Sequence, residues 1–184
     1  MAVEIEIKAR LDDFEALRGK LYEKGVFLRE YDKYDTYWTV RDMAFRVRVR
    51  KDNDITYVTF KQKKILEKME VNQEREFEVS DAGMFEELLS SLGLIREFKK
   101  EKRGWAWKIC TGIEIPILAE LSDVRGLGWF LELEILAPDD DHLTVEYCHK
   151  RLFALLNELG VSPDMVEPKP YMVLLKEAEN GGEL

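Results

Sequence analysis

The sequence predicts an α+β fold: a closed eight-stranded antiparallel β-barrel with helices packed outside it. Three observations carry that expectation. About eight stretches alternate polar and apolar residues with the period of two that marks strands. Short links join most of them, which suits antiparallel neighbours. The polar faces are also sorted by charge sign, strand by strand, which a sheet with one face in solvent does not require.

The first strand is Glu4-Ile5-Glu6-Ile7-Lys8, with Glu4, Glu6 and Lys8 on one face and Ile5 and Ile7 on the other. Leu11, Phe14, Leu17 and Leu21 are then spaced for one apolar helical stripe. Asp12 or Asp13 is the expected N-cap, and Gly25 the stop. Phe27 to Thr39 reads as extended chain, and Ala44 to Lys51 alternates with Arg46, Arg48 and Arg50 on one face. Asn53-Asp54 marks a hairpin turn, after which Thr56–Lys63 returns with Thr59, Lys61 and Lys63 on one face. Leu66–Asn72 is expected to be a mobile loop. Glu74, Glu76 and Glu78 alternate with Arg75, Phe77 and Val79 in the next strand.

Ser80-Asp81 should cap a helix carrying Met84, Phe85, Leu88, Leu89 and Leu92, closed by Gly93. A strand from about Arg96 to Cys110 carries Lys100 and Lys102, then Trp105 and Trp107. Thr111-Gly112 turns into Ile113–Leu121, and Gly126-Leu127-Gly128 turns into Trp129–Ile135. Pro138 and the Asp139–Asp141 run end that strand and open a helix to Leu159, stopped by Gly160; a last short helix follows Pro170-Tyr171. Helices are thus expected after the first, fifth and eighth strands, in one domain over residues 1–178 with a short tail at 179–184.

The charge rows close the sheet. Arg46, Arg48 and Arg50 in one row repel unless an anion lies between them, and Glu76 with Glu78 and Glu132 with Glu134 pose the same problem with the opposite sign. The other faces are Ile, Val, Phe and Leu, which must pack against helices. A sheet with helices outside hides its edges by closing, and the charged faces then line the interior. Buried unpaired charge costs several kcal/mol or more, so such an interior holds water and ions. Guanidinium and ammonium rows match phosphate oxygens, and clustered glutamates match hard divalent cations such as Mg²⁺ or Mn²⁺. Cations on at least three strands suit a chain of phosphates better than one.

Composition narrows the classes further. The 184-residue chain has a net charge of −9, which argues against a general nucleic-acid or anionic-membrane binder. No leader is expected at the N-terminus, and no apolar run approaches the ~20 residues needed to span a bilayer, so a cytoplasmic protein is expected. Cys110 and Cys148 lack a C-x-x-C spacing and read as reduced, buried or partly buried thiols. His142 and His149, seven apart in a helix, have no nearby third ligand and read as surface or packing residues. Disorder is expected only in the Glu177–Leu184 tail.

Seven blocks in order resemble the CYTH superfamily of triphosphate tunnel enzymes, which includes class IV adenylate cyclases, thiamine triphosphatases and inorganic triphosphatases. Glu4-Ile5-Glu6-Ile7-Lys8 is similar to its Glu-x-Glu-x-Lys signature. Asp35-Thr36-Tyr37, Phe45-Arg46-Val47-Arg48, Thr59-Phe60-Lys61 and Glu76-Phe77-Glu78 resemble its successive strand motifs. Gly126-Leu127-Gly128-Trp129-Phe130-Leu131-Glu132-Leu133-Glu134 resembles its Gly-Leu-Gly-x-Phe-x-Glu-x-Glu block, and Glu167-Pro168-Lys169-Pro170-Tyr171 its Glu-Pro-Arg-Ser-Tyr segment. Two positions depart. Lys100-Glu101-Lys102 stands for Lys-x-Arg, with Arg103 the basic residue only if a bulge shifts the register. Leu121-Ser122-Asp123-Val124 replaces Leu-Asp-x-Val, and Asp123 faces the wrong way unless the strand slips.

The resemblance implies that Glu4, Glu6 and Lys8 are catalytic. It implies that Glu4, Glu6, Glu76, Glu78, Glu132 and Glu134 supply ligands to Mg²⁺ or Mn²⁺. Lys8, Arg46, Arg48, Arg50, Lys61, Lys63, Lys100 and Lys102 would grip a triphosphate along the tunnel. The expected reaction is hydrolysis of a terminal phosphate from inorganic triphosphate, ATP or thiamine triphosphate. The alternatives are conversion of ATP to cyclic AMP and pyrophosphate, and a non-catalytic polyphosphate- or nucleotide-binding module. Trp38, Trp105 and Trp107 are the aromatics that could stack on a base, against packing as the plainer reading. The expected assembly is a monomer or homodimer.

Overall fold

The computed structural model describes residues 3–40, 46–66, 69–110 and 115–181, with the side chains of 61–66, 69–74 and 181 outside that description. Strand β1 (Val3–Arg10) leads through helix α1 (Glu15–Lys24) to β2 (Val26–Thr39), β3 (Arg46–Asp52), β4 (Ile55–Leu66) and β5 (Met69–Val79). Helix α2 (Ala82–Ser91) precedes β6 (Ile95–Ile109), β7 (Ile117–Val124) and β8 (Gly128–Ala137). Helix α3 (His142–Glu158), a 3₁₀ turn (Pro163–Met165) and helix α4 (Tyr171–Gly181) complete the order. The strands close into a barrel in the order β1-β5-β4-β3-β2-β6-β7-β8, and its ladders are antiparallel. Eight strands, helices after the first, fifth and eighth, and closure all agree with the sequence pattern.

The two larger apolar cores lie outside the barrel. Ile5, Ile7 and Ala9 of β1 join Trp107, Leu121, Leu131 and Leu133 under α1 and α3, which contribute Leu17, Leu21, Leu152 and Leu156. Each such fully buried aliphatic side chain stabilises the fold by about 1.5–3 kcal/mol. A smaller cluster sets Leu89 of α2 on Trp38, Val47, Val49 and Val58. A third, on the inner face of β7 and β8, packs Leu174 of α4 on Val124 and Phe130, with Tyr171 at its edge. Gly104 on β6 faces the barrel interior, where any Cβ would collide with the backbone of Leu121 and Ser122 on β7. Only glycine lets β6 and β7 approach that closely.

Several local expectations need correcting. Helix α1 begins one turn position later than an Asp cap would place it: Phe14 occupies the N-cap, while Asp13 accepts a hydrogen bond from the Glu15 N–H at 3.0 Å. Phe14 is drawn there by its ring, which stacks on Trp129 with centroids 3.8 Å apart. The expected loop at Leu66–Asn72 is strand on both sides, Leu66 pairing with Met69 and Asn72 with Glu4; residues 67 and 68 lie outside the described ones. That segment's backbone is claimed by two neighbours, β4 and β1, and this outweighs its polar composition. Met84, Leu88 and Leu92 do not pack inward and are 69, 51 and 67 % exposed, because Phe85 and Leu89 form the face that α2 turns to the sheet. Strand β7 begins at Ile117, and Thr111–Glu114 lie outside the described residues. Helix α4 carries the expected tail as far as Gly181, and Cys110 is exposed whereas Cys148 is buried.

Candidate functional site

Because Ile5 and Ile7 point outward into the helix-covered core, Glu4, Glu6, Lys8 and Arg10 project to the other face of β1, into the barrel. Strand β8 runs beside it with Glu6 opposite Glu134 and Lys8 opposite Glu132. Two carboxylates directly across a ladder repel one another unless a cation lies between them. In the closed ring, β1 stands opposite β2 and β8 opposite β3, so this acidic wall faces the arginine strand.

That facing wall is held by two carboxylate nodes. Asp35 on β2 is fully buried and accepts from Arg50 Nε at 2.8 Å, with Lys100 Nζ 3.0 Å away. Burial alone would raise its pKa, but Lys100 and Arg50 outweigh that and hold it well below the usual carboxylate range. Arg48 donates to Thr59 Oγ1 at 3.0 Å and lies 3.7 Å from Glu76, which in turn accepts from Thr59 at 2.8 Å. Arg46 reaches the rim and pairs with Glu97 at 3.0 Å.

The second node was not legible as a site in the sequence. Glu120 on β7 accepts from Lys33 at 2.5 Å, from Lys102 at 2.9 Å and from the Tyr31 hydroxyl at 3.2 Å. Lys102 also pairs with Glu132, so one ammonium ties β7 to the acidic wall. Burial pulls the Lys102 pKa down to about 8 against the pull of Glu120. Glu120 itself stays well below the carboxylate range: burial would raise it, but Lys102 and Lys33 prevail. The sequence did carry a signal, since Glu120 alternates with Leu121 and Ala119 and so shares the face of Ser122.

Tyr171, the first residue of α4, enters the same space. Its ring centroid lies 5.1 Å from Lys8 Nζ and 5.0 Å from Lys100 Nζ, and its edge meets Phe130. Burial, then the nearby Glu6, pushes its phenol pKa well above the ordinary value. The chain leading to it is pinned to β1 by the Glu167 N–H donating to the Lys8 carbonyl at 2.8 Å.

Of the residues singled out from sequence, Glu4, Glu6, Lys8, Glu132 and Glu134 thus share one wall, and Arg48, Arg50, Lys100 and Lys102 line the facing and flanking strands. Lys61 stands beside Glu74 and Lys63 beside Asn72 in the β4–β5 ladder, their side chains outside the described residues. Glu76 and Glu78 lie on β5, both exposed; Glu76 faces Arg48 rather than Glu134. The expected register of β6 holds: Lys100 and Lys102 are buried inside, while Arg103 is exposed opposite Asp123. Ser122 is buried inside and Asp123 remains on the outer side, so no slip restores an aspartate there. Trp38 and Trp107 belong to the outer cores, and Trp105 stacks beside Trp129 with centroids 5.7 Å apart, so these three rings pack helices and do not line the tunnel. His149 packs on Phe153 at 4.5 Å.

The donor types fit a hard divalent cation: oxygen ligands only, four of them glutamates on adjacent strands, with the Glu6–Glu134 repulsion there to be relieved. As the side chains stand, no three His, Cys, Asp or Glu groups among the described residues converge as a metal-holding set. Glu132 is turned to Lys102 instead.

The CYTH domain model matches residues 2–171. The chain belongs to the CYTH family. A Methanocaldococcus jannaschii protein provisionally named an adenylate cyclase is 28% identical over 186 residues, covering 94% of this chain and 98% of that one. A solved structure from Pyrococcus horikoshii superposes with a TM-score of 0.80 at 29% identity, covering 94% of this chain and 99% of that one. A provisionally named adenylyl cyclase from Hippeastrum, described as having a dominant triphosphatase activity, shares the fold at a TM-score of 0.67 and 15% identity, covering 100% of this chain and 97% of that one. Among the described residues of this CYTH protein no helix is long and apolar enough to cross a membrane.

Proposed function

We propose that this protein is a divalent-metal-dependent enzyme that takes a triphosphate into its barrel and hydrolyses the terminal phosphate. The observation that carries the reading is the pairing of walls: Glu4, Glu6, Glu132 and Glu134 on β1 and β8 face Arg48 and Arg50 on β3 across a closed barrel. A phosphate chain needs cations along its length and a divalent cation at the reacting phosphorus, and this interior offers residues for both on opposite sides. Glu4, Glu6, Glu132 and Glu134 would hold Mg²⁺ or Mn²⁺, which when bound supplies charge neutralisation and an activated water.

The remaining roles fall to the chain's own groups. Arg48, Arg50, Lys8 and Lys100 orient the phosphates, with Arg46 at the rim and Lys61, Lys63 and Lys102 extending the row. Asp35 aligns Arg50 and Lys100 by holding both within 3.0 Å, so their charges are placed before substrate arrives. Tyr171 and Phe130 exclude water from one side of Lys8 and Lys100.

A class IV-type cyclase is the second reading, favoured by the name of the M. jannaschii relative. Against it stands the outward packing of Trp38, Trp105 and Trp107, which removes the tryptophans that the sequence offered for stacking a base. The deciding experiment incubates the protein with inorganic triphosphate, ATP and thiamine triphosphate, each with Mg²⁺ and with Mn²⁺, and identifies every product. Orthophosphate with the corresponding diphosphate is expected. Cyclic AMP with pyrophosphate would replace this reading by the cyclase, and tight binding without any product would replace it by a non-catalytic module.

A further inference from the structure

We propose that Glu120 is a positioning residue for the triphosphate: it keeps Lys33 and Lys102 aimed into the barrel when Glu132 turns away from Lys102. The proposal rests on the triphosphate reading above and adds to it Glu120 and Lys33, which neither the family resemblance nor the like-charge strands of the sequence assign.

The geometry is specific. Glu120 uses both oxygens, Oε1 for Lys33 at 2.5 Å and Oε2 for Lys102 at 2.9 Å, with the Tyr31 hydroxyl also on Oε2 at 3.2 Å. The same Lys102 ammonium pairs with Glu132, which stands directly beside Glu120 in the β7–β8 ladder. Lys102 therefore has two anchors of different kinds. Glu132 belongs to the wall proposed to take a divalent cation, so that anchor is lost on loading. Glu120 lies on β7, whose other inward polar group near it is the hydroxyl of Ser122, and stays with its lysines. An ammonium has three donors; with Glu120 holding one, Lys102 keeps the others for phosphate oxygens.

Lys33 supports the same assignment from a different strand. It is 6 % exposed, on β2 next to the Asp35 node, and its ammonium lies 4.2 Å from the Tyr31 ring centroid. A lysine buried to this degree needs its carboxylate partner to remain charged, and Glu120 is the one that its ammonium touches. Glu120 thus joins lysines from β2 and β6 into one unit and orders them without touching the substrate itself.

The test measures binding of inorganic triphosphate by titration calorimetry, once in EDTA and once in excess Mg²⁺, for the full chain and for Glu120→Gln, Glu120→Asp, Lys33→Met and the Glu120→Gln/Lys33→Met double variant. Thermal melts by circular dichroism serve as the folding control. Glu120→Gln is expected to weaken binding at least tenfold, Glu120→Asp less, and the double variant no more than the weaker-binding single, because the pair acts as a unit. In turnover assays the loss should appear in KM with kcat within about threefold. Should Glu120→Gln fail to fold, Glu120→Asp and Lys33→Met carry the same comparison. Unchanged or tighter binding by the Glu120 variants, or strictly additive losses in the double variant, would overturn the proposal while leaving the triphosphate reading intact. If the unaltered protein binds no triphosphate in either condition, the functional reading itself fails and this proposal with it.

Discussion

The two walls of the barrel solve the problem of interior charge in different ways. On β2 and β7 two buried carboxylates each sit between two cations: Asp35 between Arg50 and Lys100, and Glu120 between Lys33 and Lys102. On β1 and β8, carboxylate stands opposite carboxylate at Glu6 and Glu134, and Glu132 draws its cation from β6 across the intervening strand. The first wall brings its own counter-ions and is therefore rigid and pre-placed. The second sets two carboxylates side by side in register, a repulsion that a bound cation would reduce. The difference separates carboxylates that belong to the fold from carboxylates that wait for chemistry.

The sharpest way to break that distinction is Glu6→Gln. If the acidic wall serves the metal, turnover should fall about a thousandfold, or about 4 kcal/mol at roughly 1.36 kcal/mol per factor of ten, while the melting temperature stays level or rises as the Glu6–Glu134 repulsion is removed. Steady-state assays at saturating Mg²⁺ alongside thermal melts check both halves. A variant that lost stability in place of activity would place Glu6 with the structural wall.

Asp35→Asn should do the reverse and cost stability first. Breaking a buried pair by removing one partner costs about 3 kcal/mol, because Arg50 and Lys100 are left buried with less opposing charge. The pH dependence follows from the sign of the shift. Asp35 is held well below the ordinary carboxylate range in the folded protein, mainly by Lys100 and Arg50 against the cost of burial. Its stabilisation is therefore fully present above the unfolded-state value near roughly 4 and is lost as pH falls toward the folded value. Urea unfolding of both proteins should show a gap that is constant from about pH 5 to 7 and narrows below about pH 4. A gap that widened on acidification would refute the assignment.

What the sequence revealed divides along the same line. The outer face was readable because alternation of Ile, Val and Leu follows directly from the strand period, and closure followed from sorted charges on the inner face. The rows at Glu4–Lys8, Arg46–Arg50 and Glu132–Glu134 were readable because repetition within one strand reveals them. Asp35, Lys33 and Glu120 are not assigned from sequence, since none stands in a row of like charge and their partners come from other strands: Glu120 meets Lys33 across 87 positions. The Leu66–Asn72 stretch reads as loop for a related reason, because its strand character comes from β1 as much as from its own residues. Tyr171 stood in a recognisable block, but nothing in that block says that α4 brings its ring between Lys8 and Lys100.

The smallest expected effect tests whether the arginine row is uniform, as its sequence suggests, or graded, as its surroundings suggest. Arg46, Arg48 and Arg50 recur at every second position, yet their side chains are 48, 12 and 17 % exposed. Arg46 pairs with Glu97 at the rim, a partner that also meets Lys176 of α4 at 3.4 Å. Exposed pairs of that kind contribute about 0–1 kcal/mol, and water screens the charge that Arg46 could offer a phosphate. Arg50, aligned by a buried carboxylate, presents its charge where screening is weak. Arg46→Ala should therefore raise KM for the triphosphate less than about threefold, and Arg50→Ala about thirtyfold, near 2 kcal/mol. Raising salt from about 0.05 to 0.5 M should erase the Arg46 effect before the Arg50 effect. Equal losses in the two variants would mean that the substrate reaches the rim and that the row grips it along its whole length.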